Sequence, residues 1–309
     1  MIYHNGVEQL KLHHTAVALG KFDGLHRGHQ LLFDKLMEYK QRGCQTVIFT
    51  FNFHPANVLS GHRQKLIYTH DERLKLIEKL GVDVLIEFPF TRETAHMQPE
   101  AFIRDILAGH IGASAIVVGD DFHFGYQRKG DVALLQEKAA EYGYIVEHCH
   151  KLCVGEQEIS ATMIRELISQ GQMEMAAELL GRPYSIEGIV HRGRGNGRTV
   201  NMPTANLIPA DDKLLPPDGV YVSRTRTPDG LEHNSLTNVG TNPTVGAGNA
   251  RNAETFIFDY QGNLYDRQIR VEIFKRLRAE IRFESLQALR EQVKLDEMAA
   301  RRYFIEKNL

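Results

Sequence analysis

The run Thr15-Ala16-Val17-Ala18-Leu19-Gly20-Lys21-Phe22-Asp23-Gly24-Leu25-His26-Arg27-Gly28-His29 decides how the first half of the chain is read. Thr15 and the four apolar residues after it have no polar interruption, the pattern of a strand covered on both faces in a parallel sheet. Gly20 to Gly24 makes a turn. Beyond it, Leu32, Leu36 and Tyr39 recur at helical spacing on one stripe, thickened by Phe33 and Met37. His26 and His29 are one helical turn apart, so both imidazoles share a face. They stand where the amides and positive dipole end of a helix attract phosphate. Gly28 between them leaves no side chain to obstruct a phosphate, and open α/β folds place ligands at this carboxyl end of a strand. Gly20, Phe22, Asp23, His26, Gly28 and His29 are therefore the first candidate nucleotide-binding group.

The same alternation continues on either side. Gly43 ends the helix, and Thr46-Val47-Ile48-Phe49 is the next strand. Thr69 and Glu72 make a capping box ahead of Leu74, Ile77 and Leu80, with Gly81 as the stop. Strands are predicted at 82–86, 115–118 and 144–146, with a helix between the first two and another over 132–142. Two short helices follow, over 163–170 and 173–180. The fold class predicted up to residue 183 is a Rossmann-like α/β domain with a parallel sheet. From Tyr184 to about Phe274, short strand-like runs alternate with Gly, Pro, Asn and Asp turns, as in an all-β barrel or sandwich. One amphipathic helix closes the chain, with Leu286, Leu289, Val293 and Met298 near one face. The domain division is set at 1–183 and 184–309.

Composition sets the outer limits. The 309 residues suit two domains. A hydrophobic share of 42% with 25% charged residues fits a globular protein with buried cores. Lys plus Arg (37) nearly balances Asp plus Glu (39), for a net charge of −2, which argues against a general nucleic-acid binder. No apolar run approaches the roughly 18 residues of a membrane helix, and Met1-Ile2-Tyr3-His4-Asn5 lacks the pattern of a signal peptide. Three cysteines fit a reducing cytoplasm better than a disulfide framework. No nucleic-acid or membrane partner is expected.

Further segments carry candidate chemistry. Gly119-Asp120-Asp121-Phe122-His123-Phe124-Gly125 follows a core strand and brings carboxylates and aromatic rings to the same sheet edge. Ser160-Ala161-Thr162-Met163-Ile164-Arg165 opens a helix, with hydroxyls as caps and Arg165 able to fork onto phosphate oxygens. In the β-rich half, Gly193, Gly195 and Gly197 lie in a loop whose amides can wrap a phosphate chain. Thr204 and Asn206 of the following Pro203-Thr204-Ala205-Asn206 run share one face if extended, so both can reach one Mg²⁺–nucleotide. By composition alone the loop reads first as a flexible hairpin or a basic loop for nucleic acid. Glu254, heading an apolar strand, is a solvated strand end or a general base.

Taken together, these motifs resemble the prokaryotic bifunctional riboflavin kinase/FMN adenylyltransferase (FAD synthetase) family, over essentially the whole chain and in the family's order. The resemblance implies an N-terminal H-x-G-H nucleotidyltransferase domain that adenylylates FMN to FAD. It also implies a C-terminal β-barrel kinase, with a terminal helix, that phosphorylates riboflavin to FMN. Each would use ATP and Mg²⁺, with flavins and ATP as the partners. His26 and His29 would bind ATP phosphates and act catalytically, and Asp121 would contact nucleotide and metal. Ser160, Thr162 and Arg165 would close on phosphate, Thr204 and Asn206 would hold Mg²⁺–nucleotide, and Glu254 would take the proton from the ribityl hydroxyl. The chain departs from the family at three places: Asn201 stands where Gly is usual, Ala161 replaces a second Ser, and Asn52-Phe53-His54-Pro55 replaces an acid-Pro-x-Pro pattern. A chain with a weakened kinase half is the alternative. A non-catalytic flavin-binding regulator would lose the base, whereas Glu254 is present.

Two clusters get blander readings. His148, Cys149, His150 and Cys153 look like a metal set, but on a strand His148 and His150 face one side and Cys149 the other, so four ligands would not converge simply. The arginines between 267 and 282 are diluted by Glu272 and Glu280 and read as a solvated barrel edge and helix.

Overall fold

The computed structural model describes residues 1–51, 64–155, 157–192, 204–241 and 251–309. The expectations for Asn52-Phe53-His54-Pro55, Gly193, Gly195, Gly197 and Asn201 lie outside the described residues. The chain forms two compact units, one of 1–65 with 70–160 and the other of 66–69 with 161–309.

The first unit is a six-stranded parallel sheet in the order β1-β4-β3-β2-β5-β6. Its strands are β1 (Ile2–Asn5), β2 (Thr15–Leu19), β3 (Gln45–Phe51), β4 (Val84–Phe88), β5 (Ala113–Gly119) and β6 (Ile145–Cys149), and a short antiparallel pair, β7 (Cys153–Val154) with β8 (Gln157–Glu158), follows them. All five residues of β2 are buried, because each face of the sheet carries a core. Val17 and Leu19 join one core with Phe49, Ile86, Phe102, Ile106 and Leu135, supplied in part by the helical segments α3 (Phe102–His110) and α4 (Val132–Tyr142). Ala16 and Ala18 join the other with Phe22, Leu32, Phe33, Leu36 and Ile77, from α1 (Arg27–Gln41) and α2 (His70–Glu78). An unbroken apolar strand is what two covered faces require. The chain leaves β2 first towards β3 and β4 and then returns to β5 on its other side, so the strand order reverses at β2, the kind of place where open sheets form a ligand crevice. Asp131 caps α4, accepting from the Leu134 N–H at 2.9 Å, and Gly143 ends it in the left-handed conformation.

The second unit is a closed antiparallel barrel, β10-β13-β12-β11-β14-β9. Its strands are β9 (Tyr184–His191), β10 (Thr204–Leu207), β11 (Gly219–Arg226), β12 (Glu232–Thr241), β13 (Arg251–Ile257) and β14 (Gln268–Arg278). Closure settles the choice between barrel and sandwich and removes the sheet edges. Fully buried hydroxyls run through it: Ser223 lies 2.8 Å from both Ser235 and Thr237, Thr225 is 2.9 Å from Ser235, and Thr237 is 2.9 Å from Thr255. A hydroxyl can donate and accept at once, so the three inner members of this chain, Ser235, Ser223 and Thr237, can each satisfy both roles through their neighbours. Helices α5 (Ala161–Ser169) and α6 (Met173–Leu180) belong to this unit, and α6 lies against β14 and β9. Residues 66–69 join it through Leu66, paired with Lys213, whose Nζ donates to the Ile67 carbonyl at 2.9 Å between the rings of Tyr68 and Tyr184.

The last helix, α7 (Leu286–Lys307), keeps half of the expected apolar face: Val293 packs on the barrel-side core and Leu289 is half-buried. Leu286 and Met298 are exposed, and the buried positions are Asp296, Ala300, Tyr303 and Phe304. The helix is turned so that Phe304 and Tyr303 pack on Phe274 while Asp296 takes the Arg278 guanidinium, 2.7 Å from its Nη2. Asp296→Ala is expected to cost about 3 kcal/mol of stability, at the lower end for a broken buried pair, since Arg278 is partly exposed. Urea unfolding followed by circular dichroism measures it; a change below about 0.5 kcal/mol would show the pair to be dispensable.

Candidate active sites

At the carboxyl end of β2 the backbone does unusual work. Phe22, Gly24 and Leu25 all have positive φ (47°, 76° and 46°), which folds the turn so tightly that Phe22 goes fully inside. A Cβ on Gly20 would sit 2.8 Å from the Phe22 ring, so only glycine lets that ring fold back. The loop is held by Gly20 N–H donating to Phe49 O (3.2 Å) and Thr50 Oγ1 donating to Lys21 O (3.1 Å). His26 is the residue just before α1, and its carbonyl accepts the first turn's N–H groups of His29 (2.8 Å) and Gln30 (3.2 Å). The two imidazoles are stacked, centroids 3.7 Å apart and 20° between planes. Phe22 stands edge-on to His29 at 5.2 Å and packs on Phe33, which bolts the pair to the core. His26 and Asp23 are buried, and His29 is half-buried. Gly28 has a second use beyond the expected one: a Cβ there would press to 3.1 Å from the His26 ring.

The segment after β5 lies at the same end of the sheet. Asp121 is exposed and 3.5 Å from Lys151 Nζ, and Phe122 stacks on Phe124, which in turn packs on Phe102. Its neighbour Asp120 accepts from the Lys151 backbone N–H at 2.8 Å; that bond, aided by His150, holds the carboxyl below its ordinary range. Burial pushes the Cys149 thiol up. Ser160 ends the first unit, whereas Thr162 (exposed) and Arg165 (buried) stand on α5 of the second.

In the barrel, the strand register assembles the other group. Asn206 of β10 is directly opposite Glu254 of β13, so the two share one face. Thr204 is two residues along the same face and half-buried. Asn206 is buried, and its Oδ1 accepts from Asn252 Nδ2 at 2.9 Å, while the same amide reaches Glu254 Oε1 at 3.5 Å. Sequence reading missed Asn252. Its signal was there, two residues before Glu254 on an alternating strand, but pairing it with Asn206 needs the register. The group therefore holds three oxygen-bearing side chains (Thr204, Asn206 and Glu254) around one buried amide. On β14, Arg270 is matched by acids, Glu187 (3.8 Å) and Glu272 (3.3 Å).

Comparison with known proteins gives a family match for each half of the chain. The chain matches the FAD synthetase family over residues 8–163 and the riboflavin kinase family over 180–304. It is 34% identical to the bifunctional riboflavin kinase/FMN adenylyltransferase of Escherichia coli strain K12, over 93% of this chain and 92% of that protein. The protein of the same name from Haemophilus influenzae is 33% identical, over 94% of each. A crystal structure described as a macrolide-efflux protein from Streptococcus pneumoniae superposes with a TM-score of 0.87 at 28% identity, covering 97% of this chain and 99% of that one. Among the described residues, no helix is long and apolar enough to cross a membrane.

Proposed function

Since the chain belongs to the family of bifunctional riboflavin kinase/FMN adenylyltransferases, we propose that it makes FAD in two steps. The barrel phosphorylates riboflavin to FMN with ATP, and the parallel-sheet unit adenylylates FMN, releasing pyrophosphate. The observation that carries this reading is that two unlike folds in one chain, a parallel sheet and a closed barrel, match the FAD synthetase and riboflavin kinase families respectively.

In adenylyl transfer an FMN phosphate oxygen attacks the α-phosphorus of ATP, and the chain's part is positioning and electrostatics. His26 and His29 donate to the ATP phosphates, with Gly20, Phe22, Asp23 and Gly28 shaping the turn that presents them. Asp121, Ser160, Thr162 and Arg165 are proposed as further nucleotide contacts. In phosphoryl transfer Glu254 takes the proton from the riboflavin ribityl hydroxyl as it attacks the γ-phosphate, and Gly193, Gly195 and Gly197 follow the phosphate chain. Mg²⁺ is proposed at Thr204 and Asn206, and at Asp121 in the first unit. The oxygen donors there suit a hard cation, and Asn252 holds the Asn206 oxygen in a fixed direction. When bound, Mg²⁺ neutralises phosphate charge.

Adenylyl transfer is assigned to residues 1–183 and phosphoryl transfer to 184–309, in the cytoplasm, with small molecules as the only partners. A fragment of residues 184–309 is expected to phosphorylate riboflavin. Activity found only when the fragment starts at Ala161 would extend the kinase part to α5 and α6. For the whole reading, chromatography of riboflavin incubated with Mg²⁺ and ATP should show FMN and FAD, with ADP and pyrophosphate released. Finding neither flavin product at any magnesium concentration would overturn it.

Gly28→Ala gives a finer test. The new methyl group must push the His26 ring by a few tenths of an ångström. FMN adenylylation is expected to fall roughly tenfold, less than the ~10²-fold that a 1 Å misplacement can cost. Riboflavin phosphorylation and melting temperature should hardly change. An unaltered adenylylation rate would show that the position of His26 is not critical.

A further inference from the structure

Asp120, His148 and His150 take no part in either transfer as assigned above, yet the sheet brings them together. The parallel β5–β6 register sets Val118 opposite His148 and Gly119 opposite Cys149. His148 and His150 therefore face one side, and Asp120, one residue past β5, meets them there. Cys149 packs against the core on the other side, and Cys153 is not in the cluster. Asp120 Oδ1 lies 2.7 Å from His148 Nε2 and 3.1 Å from His150 Nδ1, and the two rings are 5.0 Å apart at 55°. One ligand atom from each residue lies within 4.8 Å of the others. Ligands about 2.0–2.1 Å from a tetrahedral ion sit roughly 3.3 Å apart, so small side-chain rotations suffice to enclose one.

A second feature distinguishes the cluster from a chance surface pairing. The other carboxylate oxygen, Oδ2, accepts from the Lys151 backbone N–H at 2.8 Å, the kind of outer hydrogen bond that orients a ligating carboxylate. The Lys151 ammonium, which would repel a cation, is engaged by Glu158 (2.6 Å) and Asp121 (3.5 Å). We propose that Asp120, His148 and His150 form a three-ligand site for a divalent transition-metal ion of the zinc class, with the remaining position open to water. Two imidazoles select such an ion over Mg²⁺, which prefers an all-oxygen octahedron.

The test uses the full chain without an affinity tag, stripped with chelator, dialysed and titrated with Co²⁺ in the absence of nucleotide. A visible band of four- or five-coordinate Co²⁺ should saturate at one equivalent, be displaced by Zn²⁺ and survive millimolar Mg²⁺. His148→Ala, His150→Ala and Asp120→Asn should each weaken binding at least ~10-fold, whereas the Cys149→Ser, Cys153→Ser double variant should keep the band. No band, a band unchanged in the histidine variants, or one lost with the cysteines would overturn the proposal. Should a histidine variant fail to fold, electron paramagnetic resonance of Cu²⁺ on the unsubstituted chain decides. Two coordinated nitrogens support the site, and a spectrum without nitrogen coordination refutes it.

Discussion

His29→Ala is expected to lower FMN adenylylation by about 10²–10³-fold and to leave riboflavin phosphorylation intact. The size follows from removing one donor aimed at charge that develops in the transition state, worth about 2.7–4 kcal/mol of barrier. The selectivity follows from the architecture: His29 sits at the start of α1, fixed by stacking on His26 and by the Phe22 edge, in a unit that contains no strand of the barrel. Steady-state rates with FMN and with riboflavin, each with saturating Mg²⁺ and ATP, measure the two effects. Equal depression of both reactions in folded protein would mean that the activities are not divided between the units as assigned.

Glu254→Gln is expected to do the converse, with phosphorylation reduced roughly 10²–10⁴-fold, the usual contribution of a positioned general base. Gln keeps the shape of Glu and an oxygen acceptor within reach of Asn252, so the buried Asn206–Asn252 contact should persist. The loss then reflects the proton acceptor rather than a collapsed strand. A variant that retains more than a tenth of the kinase rate would make Glu254 a strand-end acid and require another base.

Much of this arrangement is legible in the sequence where local chemistry dictates it. Thr15 to Leu19 could be placed in a two-sided core because nothing polar interrupts them, and His26 and His29 at a helix start because their spacing and the preceding glycines leave little else. What stayed hidden depends on distant pairings. The apolar spacing of α7 put Val293 on the side that packs against the barrel, but it gave no sign that Asp296 is buried on the same helix, where it takes the Arg278 guanidinium of β14. The stripes of α5 and α6 do not say which unit they cover, and they go with the barrel. Barrel closure rests on β9 pairing with β14, some eighty residues later. The same holds for Asn252 beside Asn206 and for Asp120 beside the two histidines: register, not spacing, joins them.

The claim that two independent sites act in turn is tested most directly by mixing the two variants. With riboflavin, Mg²⁺ and ATP, His29→Ala alone should accumulate FMN, and Glu254→Gln alone should make almost no FMN or FAD. Combined in one tube, they should produce FAD, because FMN released by the first is adenylylated by the second. If the mixture yields no FAD while Glu254→Gln converts added FMN normally, the two sites do not work independently and the account is contradicted.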